Sequence, residues 1–390
     1  MAQPHAVVIG GGIGGLTAAR ALLDGGWAVT VCERSPSLEP VGAGLAVAPN
    51  ALRALDVLGL GDAVRERSSL HGGGIRRWDG RWLMRLDAER IRAWFGDPVV
   101  LLRRATLVEL LAAGLPGGTV RTGSAVTGVD PGSRTAPAHV LTASGELAAD
   151  LVVAADGINS LTRRTLFPEA ADPVYAGFAT WRFIVPADLP IVPAESWGHG
   201  SVVGLMPLAD GSVYVYASVP GAPGAQAPDE RAELLRRFAH WHAPIPQLLT
   251  AAESGDVLRN DVWYLDAPPR AYHRGRVALL GDAAHAMPPN LGQGGCQAME
   301  DAVTLAHTVS GTDRADVPAA LARYTAARRP RASAVVRRSA RAGALLCCGC
   351  RGVAAARNLA LAAMGPLGPL LLRRSIAGIF DWSPPGEGRR

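Results

Sequence analysis

The sequence predicts an α/β fold: a Rossmann-like nucleotide-binding domain, an inserted β-sheet domain and a C-terminal run of helices. Three observations predict it. Residues 6–34 read strand, glycine turn, helix, strand. Two later strands, in "LVVAADG" and "RVALLGD", each end on an aspartate next to a glycine, just before a helix start. Between them, "FATWRFIVP" and "GSVYVYASVP" alternate β-branched and aromatic residues as half-buried strands do.

In the first element, Ala6 to Ile9 is a short buried strand, and "GGGIGG" follows it. Gly10 permits a tight turn, Gly12 lets a pyrophosphate approach the backbone, and Gly15 lets helix and strand pack closely. Ile13 and Gly14 complete the turn, whose helix N-terminus offers free N–H groups to phosphate. "VTVCER" is the next strand and ends at Glu33, about 20 residues past the turn, where a carboxylate accepts from ribose hydroxyls. Glu33 favours a dinucleotide without a 2′-phosphate, and both FAD and NAD satisfy that. Arg34 either stacks on adenine or faces solvent.

The later elements follow the same logic. Asp156 and Arg163 sit where a strand end meets a helix capped by Asn159 or Ser160, a usual place for ligand contacts in an open sheet. Asp282 emerges at the end of "RVALLGD", well placed to accept from sugar-alcohol hydroxyls. "PPNLGQGG" is stiff at Pro288-Pro289 and bare at Gly292, Gly294 and Gly295. "CQAMEDAVTLAHTV" continues as a helix whose positive end points back toward that loop. Glu300 and Asp301 fall in its first turns, where negative charge suits the dipole, and His285 reads as a proton relay or, the favoured reading, a structural hydrogen-bonding residue. In the middle strands Tyr214 and Tyr216 share one face, with Val213, Val215 and Ala217 on the other. Arg182 is either an edge-strand charge facing water or an anion anchor; Tyr216 is either sheet packing or a substrate contact.

Composition excludes several classes. The 390 residues, 48% of them hydrophobic, suffice for a large core in two or three domains. All 39 basic residues are arginine, so no lysine-dependent chemistry is available. The arginines are scattered without interleaved aromatics, which predicts no nucleic-acid partner. A late cluster, Arg328, Arg329, Arg331, Arg337, Arg338 and Arg341, reads as the solvated face of a helix. Five cysteines make no disulfide framework, and "CCGC" lacks partners at ligand spacing, so no metal is predicted. The N-terminus shows no basic leader, and the most apolar late stretch, 358–372, contains two prolines and is too short to span a bilayer. These features predict a cytoplasmic protein with no integral membrane span.

"GGGIGG" with Glu33, "LRRATL", "ADGINSLTR" and "GDAAHAMPPNLGQGGCQAMEDA" together resemble the FAD-dependent aromatic hydroxylases. These are single-component flavoprotein monooxygenases of the para-hydroxybenzoate hydroxylase fold, with a glutathione-reductase-type FAD-binding domain. The wording looks closest to the branch of urate hydroxylase, salicylate-type hydroxylases and zeaxanthin epoxidase. The resemblance implies FAD bound by Gly10, Gly12, Ile13, Gly14, Gly15, Glu33, Arg34, Arg104 (or Arg103), Val126, Asp156 and Asp282. It further implies Gly42, Gly44, Pro289, Gly292, Gly294 and Gly295 near the ring. NADH or NADPH would visit as a transient co-substrate, and O2 would be activated as a flavin C4a-hydroperoxide to hydroxylate a small aromatic or hydrophobic substrate near Arg182 and Tyr216. Alkene epoxidation uses the same parts, and a flavin-binding redox sensor or assembly protein would keep the cradle without turnover. A flavin-dependent halogenase needs a "WxWxIP" motif and a lysine, which are missing. The implied domains are 1–72, 100–175 and 276–330 for FAD, 73–99 and 176–275 for substrate, and 331–390 as a helical segment, in a monomer or homodimer.

Overall fold

The computed structural model describes residues 3–38, 44–67, 72–187, 189–364 and 368–386. Its first layer is a six-stranded sheet in the order His273–Arg274, Val277–Leu279, Leu151–Ala154, His5–Ile9, Ala28–Cys32, Val120–Arg121. All neighbours are parallel except the first pair. Val7, Val8, Val152, Val153 and Ala278 are fully buried, because helices cover both faces of a parallel sheet. One cover is the helix Ile13–Asp24, which packs on Gly294–Val309. Gly10 has φ +104°, and a Cβ there would stand 2.5 Å from the Ala155 carbonyl oxygen. Only glycine lets the two strand ends approach so closely.

The second layer is a seven-stranded sheet ordered Leu258–Tyr264, Val174–Pro186, Ser212–Pro220, Val202–Pro207, Ala194–Trp197, Gly73–Arg77, Trp82–Leu86. Val213, Val215 and Ala217 join Phe183 and Val203 on its core face, under the helices Glu230–Phe238 and Ile245–Ala251. Tyr214 and Tyr216 point the other way, as the alternation predicts. Arg182 lies on Val174–Pro186, which has neighbours on both sides, so the edge-strand reading does not hold. A two-stranded ribbon, Gly44–Val47 with Val100–Arg103, lies where the layers meet.

The long helix Val317–Leu346 runs continuously through Pro330, so the boundary expected at 330/331 falls inside one element. Its arginines are not a uniformly solvated face. Arg328 is 1% exposed and Arg331 is half-buried. Glu300 and Asp301 are fully buried as well, and their role is ion pairing rather than dipole compensation. Arg328 Nε donates to Asp301 Oδ1 at 2.6 Å, and its Nη1 donates to Glu300. Arg331 forks onto both Glu300 oxygens at 2.6 and 2.7 Å. Asn50 and Gln297 complete the shell around Glu300. No single helix among the described residues is long and apolar enough to cross a membrane.

Candidate active site

The strand Val277–Leu279 delivers its chain to Gly281, whose φ of +61° turns the backbone sharply into Asp282. Asp301 Oδ2 accepts from the Gly281 N–H at 3.0 Å and from His285 Nε2 at 2.5 Å. His285 is thereby a structural group, and the buried ion network holds the turn that presents Asp282. Arg163, also buried, donates to the Ala283 and Ile158 carbonyls and so locks the Asp156-Gly157 turn onto the same loop. Ser160 rather than Asn159 caps the following helix, accepting from Arg163 N.

These turns border a cavity of about 820 Å³ between the two sheets. On the nucleotide side Gly12, Ile13, Gly14, Arg104, Gly157, Asp282, Pro289, Gly292, Gly294 and Gly295 line it. Glu33 Oε2 accepts from the Gly11 N–H at 2.6 Å, fixing the carboxylate beside the glycine turn. Asp282 is accessible from the cavity; burial raises its carboxyl above the usual range, with His285 and Arg104 pulling it back. Burial holds the Arg104 guanidinium below its usual range, with Asp282 opposing that shift and Arg182 adding to it. Arg103 turns away instead, donating to Asp210 and Ser212 on the other sheet, so Arg104 is the arginine of "LRRATL" that faces the cavity.

The helix Gly294–Val309 starts at the cavity wall, and its N-cap residue Gln293 makes no side-chain capping bond. Its first N–H groups therefore lack intrahelical acceptors and offer an anion-stabilising end. Gln293 Nε2 and Asp156 Oδ1 are buried atoms without a partner among the described residues.

Not every expected residue reaches the cavity. Gly10 and Gly15 shape the turn from behind. Arg34 is exposed and Val126 lies on Val126–Asp130, both off the lining, although Ser124 N of that chain donates to Glu33 O at 2.8 Å. Gly42 lies outside the described residues. Gly44 lines the cavity, but a Cβ there would stand 2.5 Å from the Tyr214 ring, so its smallness also serves the tyrosine.

The opposite wall belongs to the second sheet. Arg182 and Tyr216 are directly paired across two strands and both line the cavity. Arg182 Nη2 donates to Asn260 Oδ1 at 2.6 Å, while its Nε has no partner among the described residues. The Tyr216 hydroxyl donates to Glu195 Oε1, and Trp197 Nε1 donates to Glu195 Oε2 at 2.9 Å. Burial first, and then the Glu195 charge, raise the Tyr216 phenol well above its ordinary value, so it stays protonated. Gly204 lies beneath that ring, where a Cβ would come within 2.1 Å of it. Sequence reading missed Glu195, Asn260 and Gly204, because only strand register brings them to Tyr216 and Arg182. Tyr214 and Thr180 also line this wall, and beyond them it is apolar: Ile75, Met84, Leu86, Ile91, Leu101 and Leu372.

No group of three metal-ligating side chains occurs among the described residues. Cys296 is buried, and burial pushes its thiol up to about 12, with neighbouring backbone hydrogen bonds opposing the rise and the Glu300 charge adding to it. It is therefore a packing residue. Cys296→Ser is expected to keep bound flavin and activity, and the native thiol to resist alkylation at neutral pH. Rapid labelling of Cys296 by iodoacetamide would contradict this.

The donor set fits FAD: a pyrophosphate turn, a carboxylate beside it, an arginine, a second carboxylate on the far side, and bare backbone at a helix N-terminus. Fold and site thus define a flavin-dependent oxidoreductase. The chain belongs to the FAD binding domain family, whose model matches residues 4–339. It is 39% identical over 343 residues to the aurachin C monooxygenase/isomerase of Stigmatella aurantiaca, covering 86% of this chain and 88% of that one. It is 34% identical over 336 residues to the FAD-dependent urate hydroxylase of Klebsiella pneumoniae, covering 83% and 85%. The crystal structure of Klebsiella pneumoniae HpxO complexed with FAD and uric acid matches with a TM-score of 0.87 at 30% identity, over 97% of this chain and 96% of that one. The protein is an FAD-dependent monooxygenase that uses NAD(P)H and O2.

Proposed function

We propose that this monooxygenase hydroxylates a small aromatic or hydrophobic substrate held between the flavin side of the cavity and the Arg182–Tyr216 wall. The observation that carries the reading is one cavity with two chemically different walls, one of glycine backbone and cofactor-type donors, the other largely apolar with Arg182, the phenols Tyr214 and Tyr216, and Glu195. Bound FAD supplies the redox chemistry, taking reducing equivalents from NAD(P)H and activating O2. The chain's own residues bind and orient. Gly10, Gly12, Ile13, Gly14, Gly15 and Glu33 would hold the ADP half, with Arg34 and Val126 at its adenine end, and Arg104 would reach the phosphate or ribityl region. Asp282 would hold the sugar-alcohol chain, Asp156 orders the adjoining turn, and Pro289, Gly292, Gly294, Gly295 and Gly44 would face the ring. Free N–H groups at the start of Gly294–Val309 would stabilise negative charge on a flavin ring held there, worth roughly 0.3–2 kcal/mol.

Arg182 would anchor an anionic or phenolic substrate, since its Nε still seeks an acceptor. The Tyr216 hydroxyl, whose one proton is held by Glu195, would offer its oxygen as an acceptor to the substrate. The apolar wall excludes water from the reacting centre. We assign residues 1–72, 100–175 and 276–330 to FAD binding and 73–99 with 176–275 to the substrate, in a cytoplasmic monomer or homodimer.

The test is purification followed by a substrate screen. The protein is expected to be yellow and to consume NADH or NADPH faster when an aromatic substrate is added, with a product heavier by one oxygen atom. Asp282→Ala is expected to purify colourless. Arg182→Met is expected to raise KM for an anionic substrate at least tenfold, about 1.4 kcal/mol of binding, with flavin retained. A wild-type protein that cannot be loaded with FAD would overturn the assignment.

A further inference from the structure

The last helices carry a pattern that the cavity chemistry does not require. Between Asp316 and Asp381 the chain has eleven arginines and no aspartate or glutamate. Arg328 and Arg331 pair with Glu300 and Asp301 and Arg357 is buried, while Arg323, Arg337, Arg338, Arg341, Arg351, Arg373 and Arg374 are exposed. The whole chain has 39 basic and 34 acidic residues, so without this segment the remainder is net negative. The same segment holds Leu345, Val353, Leu359, Leu370 and Leu371, five of the eleven exposed large hydrophobic side chains among the described residues. Leu359 is 72% exposed.

The helix Arg351–Met364 is amphipathic with its apolar side outward. Buried Arg357 holds it to the protein, donating to the Gly198 carbonyl at 3.0 Å and lying 5.0 Å from the Trp197 ring centre. Val353, Ala356, Leu359, Ala360 and Ala363 follow helical spacing on its exposed side. The helix Gly368–Phe380 puts Leu372 into the cavity wall while Leu370, Leu371, Arg373 and Arg374 are exposed. One helix thus faces both the reaction cavity and the outside.

We propose that this C-terminal segment docks on the surface of an anionic lipid bilayer, with its leucines in the headgroup boundary and its arginines against lipid phosphates. The occupant follows from charge and length. Short helices with leucines beside arginines suit an interfacial position on anionic lipid. Helices of 14 and 13 residues are too short to span, since a crossing needs about 20. A second copy is the poorer occupant, because an isologous contact sets this acid-free segment against itself. The leucines distinguish lipid from nucleic acid, which calls for stacking rings and polar contacts. Leu372 then lines a route by which a lipid-soluble substrate enters; this route rests on the function proposed above, whereas the docking does not.

The experiment is co-sedimentation of the FAD-loaded full-length protein with phosphatidylcholine vesicles, with and without phosphatidylglycerol at about a third of the lipid. Wild type is expected to sediment with the anionic vesicles at low salt and to be released in high salt, while neutral vesicles retain much less. Leu359→Glu combined with Leu371→Glu, and separately Arg373→Gln combined with Arg374→Gln, are expected to weaken binding about tenfold or more. Flavin content is expected to stay at the wild-type level in both variants and reports their folding. Wild type that stays in the supernatant, or variants that bind like wild type, would overturn the docking. So would a dimer in sedimentation velocity that either variant dissociates. Vesicle binding without turnover of any aromatic substrate would support the docking and remove the functional reading.

Discussion

Arg328→Met is expected to destabilise the protein by about 3–5 kcal/mol, a large fraction of the ~5–15 kcal/mol that typically separates folded from unfolded chains. The substitution leaves Glu300 without one of its two arginines and Asp301 with only His285 and the Gly281 N–H. Both carboxylates are fully buried, so water cannot take the place of the guanidinium. Thermal unfolding followed by circular dichroism measures the loss. Arg337→Ala, an exposed position on the same helix, should stay within about 0.5 kcal/mol of wild type. Asp301→Asn added to Arg328→Met should cost less than the sum of the two, because one uncompensated charge disappears. Additive losses would mean that the network is not a unit.

The same network sets acid stability. Burial raises the Asp301 carboxyl, but His285, Arg328 and the bonds from His285 and Gly281 outweigh it and bring it down to about 2. A carboxyl lower in the folded than in the unfolded state stabilises the fold above the unfolded value near 3.9. That contribution fades as pH falls from about 4 toward 2. Arg328→Met removes a lowering influence, so its acid unfolding should begin at higher pH. Because Asp301 also holds the turn into Asp282, flavin should be released before the sheets unfold.

Gly15→Ala is expected to abolish or greatly weaken flavin binding. A Cβ at position 15 would stand 1.9 Å from the Gly10 carbonyl oxygen, a backbone atom that cannot rotate away. Gly10 is itself tied by its N–H to Cys32 O at 2.9 Å, and Ala155 N ties the neighbouring Ile9 O at 2.9 Å. The helix must retreat from the strand, and the turn that faces the pyrophosphate changes shape. Overpacking of this kind costs about 1–3 kcal/mol, or roughly 5- to 150-fold in affinity if it falls on the bound state. Flavin absorbance of the purified protein and titration with FAD report the change. Gly117→Ala, with nothing within 4 Å of the added carbon, is the control and should leave both unchanged. A fully flavinated Gly15→Ala protein would mean that the turn is more plastic than its contacts allow.

Legibility differed between the two halves of the site. The nucleotide side was readable because its parts are local: Gly10 to Gly15, "ADG" and "GDAAH" carry their geometry within a few residues of backbone. The substrate side was not. Arg182 stood out as a charge in an apolar strand, but its choice between water and cavity awaited strand order. Glu195 and Gly204 gave no signal, since their meaning comes from Tyr216, 21 and 12 positions away, two strands over from Glu195 and on the strand next to Gly204.

The acidic and basic residues of 300–341 show the same division. Their charges suggested a helix end for Glu300 and Asp301 and a wet face for the arginines, and the structure buries Glu300, Asp301 and Arg328 together. Sequence alone determined a dinucleotide cofactor without a 2′-phosphate, because a glycine turn with Glu33 acts through short-range backbone sterics and dipoles, and the resemblance of the later motifs chose FAD over NAD. Tertiary structure decided which charges are buried, which arginine of Arg103 and Arg104 meets the cavity, and which side of the last helices faces outward. Those outcomes depend on contacts between residues far apart in the chain, and burial changes a charge from a solvated ornament into a group that must find its partner.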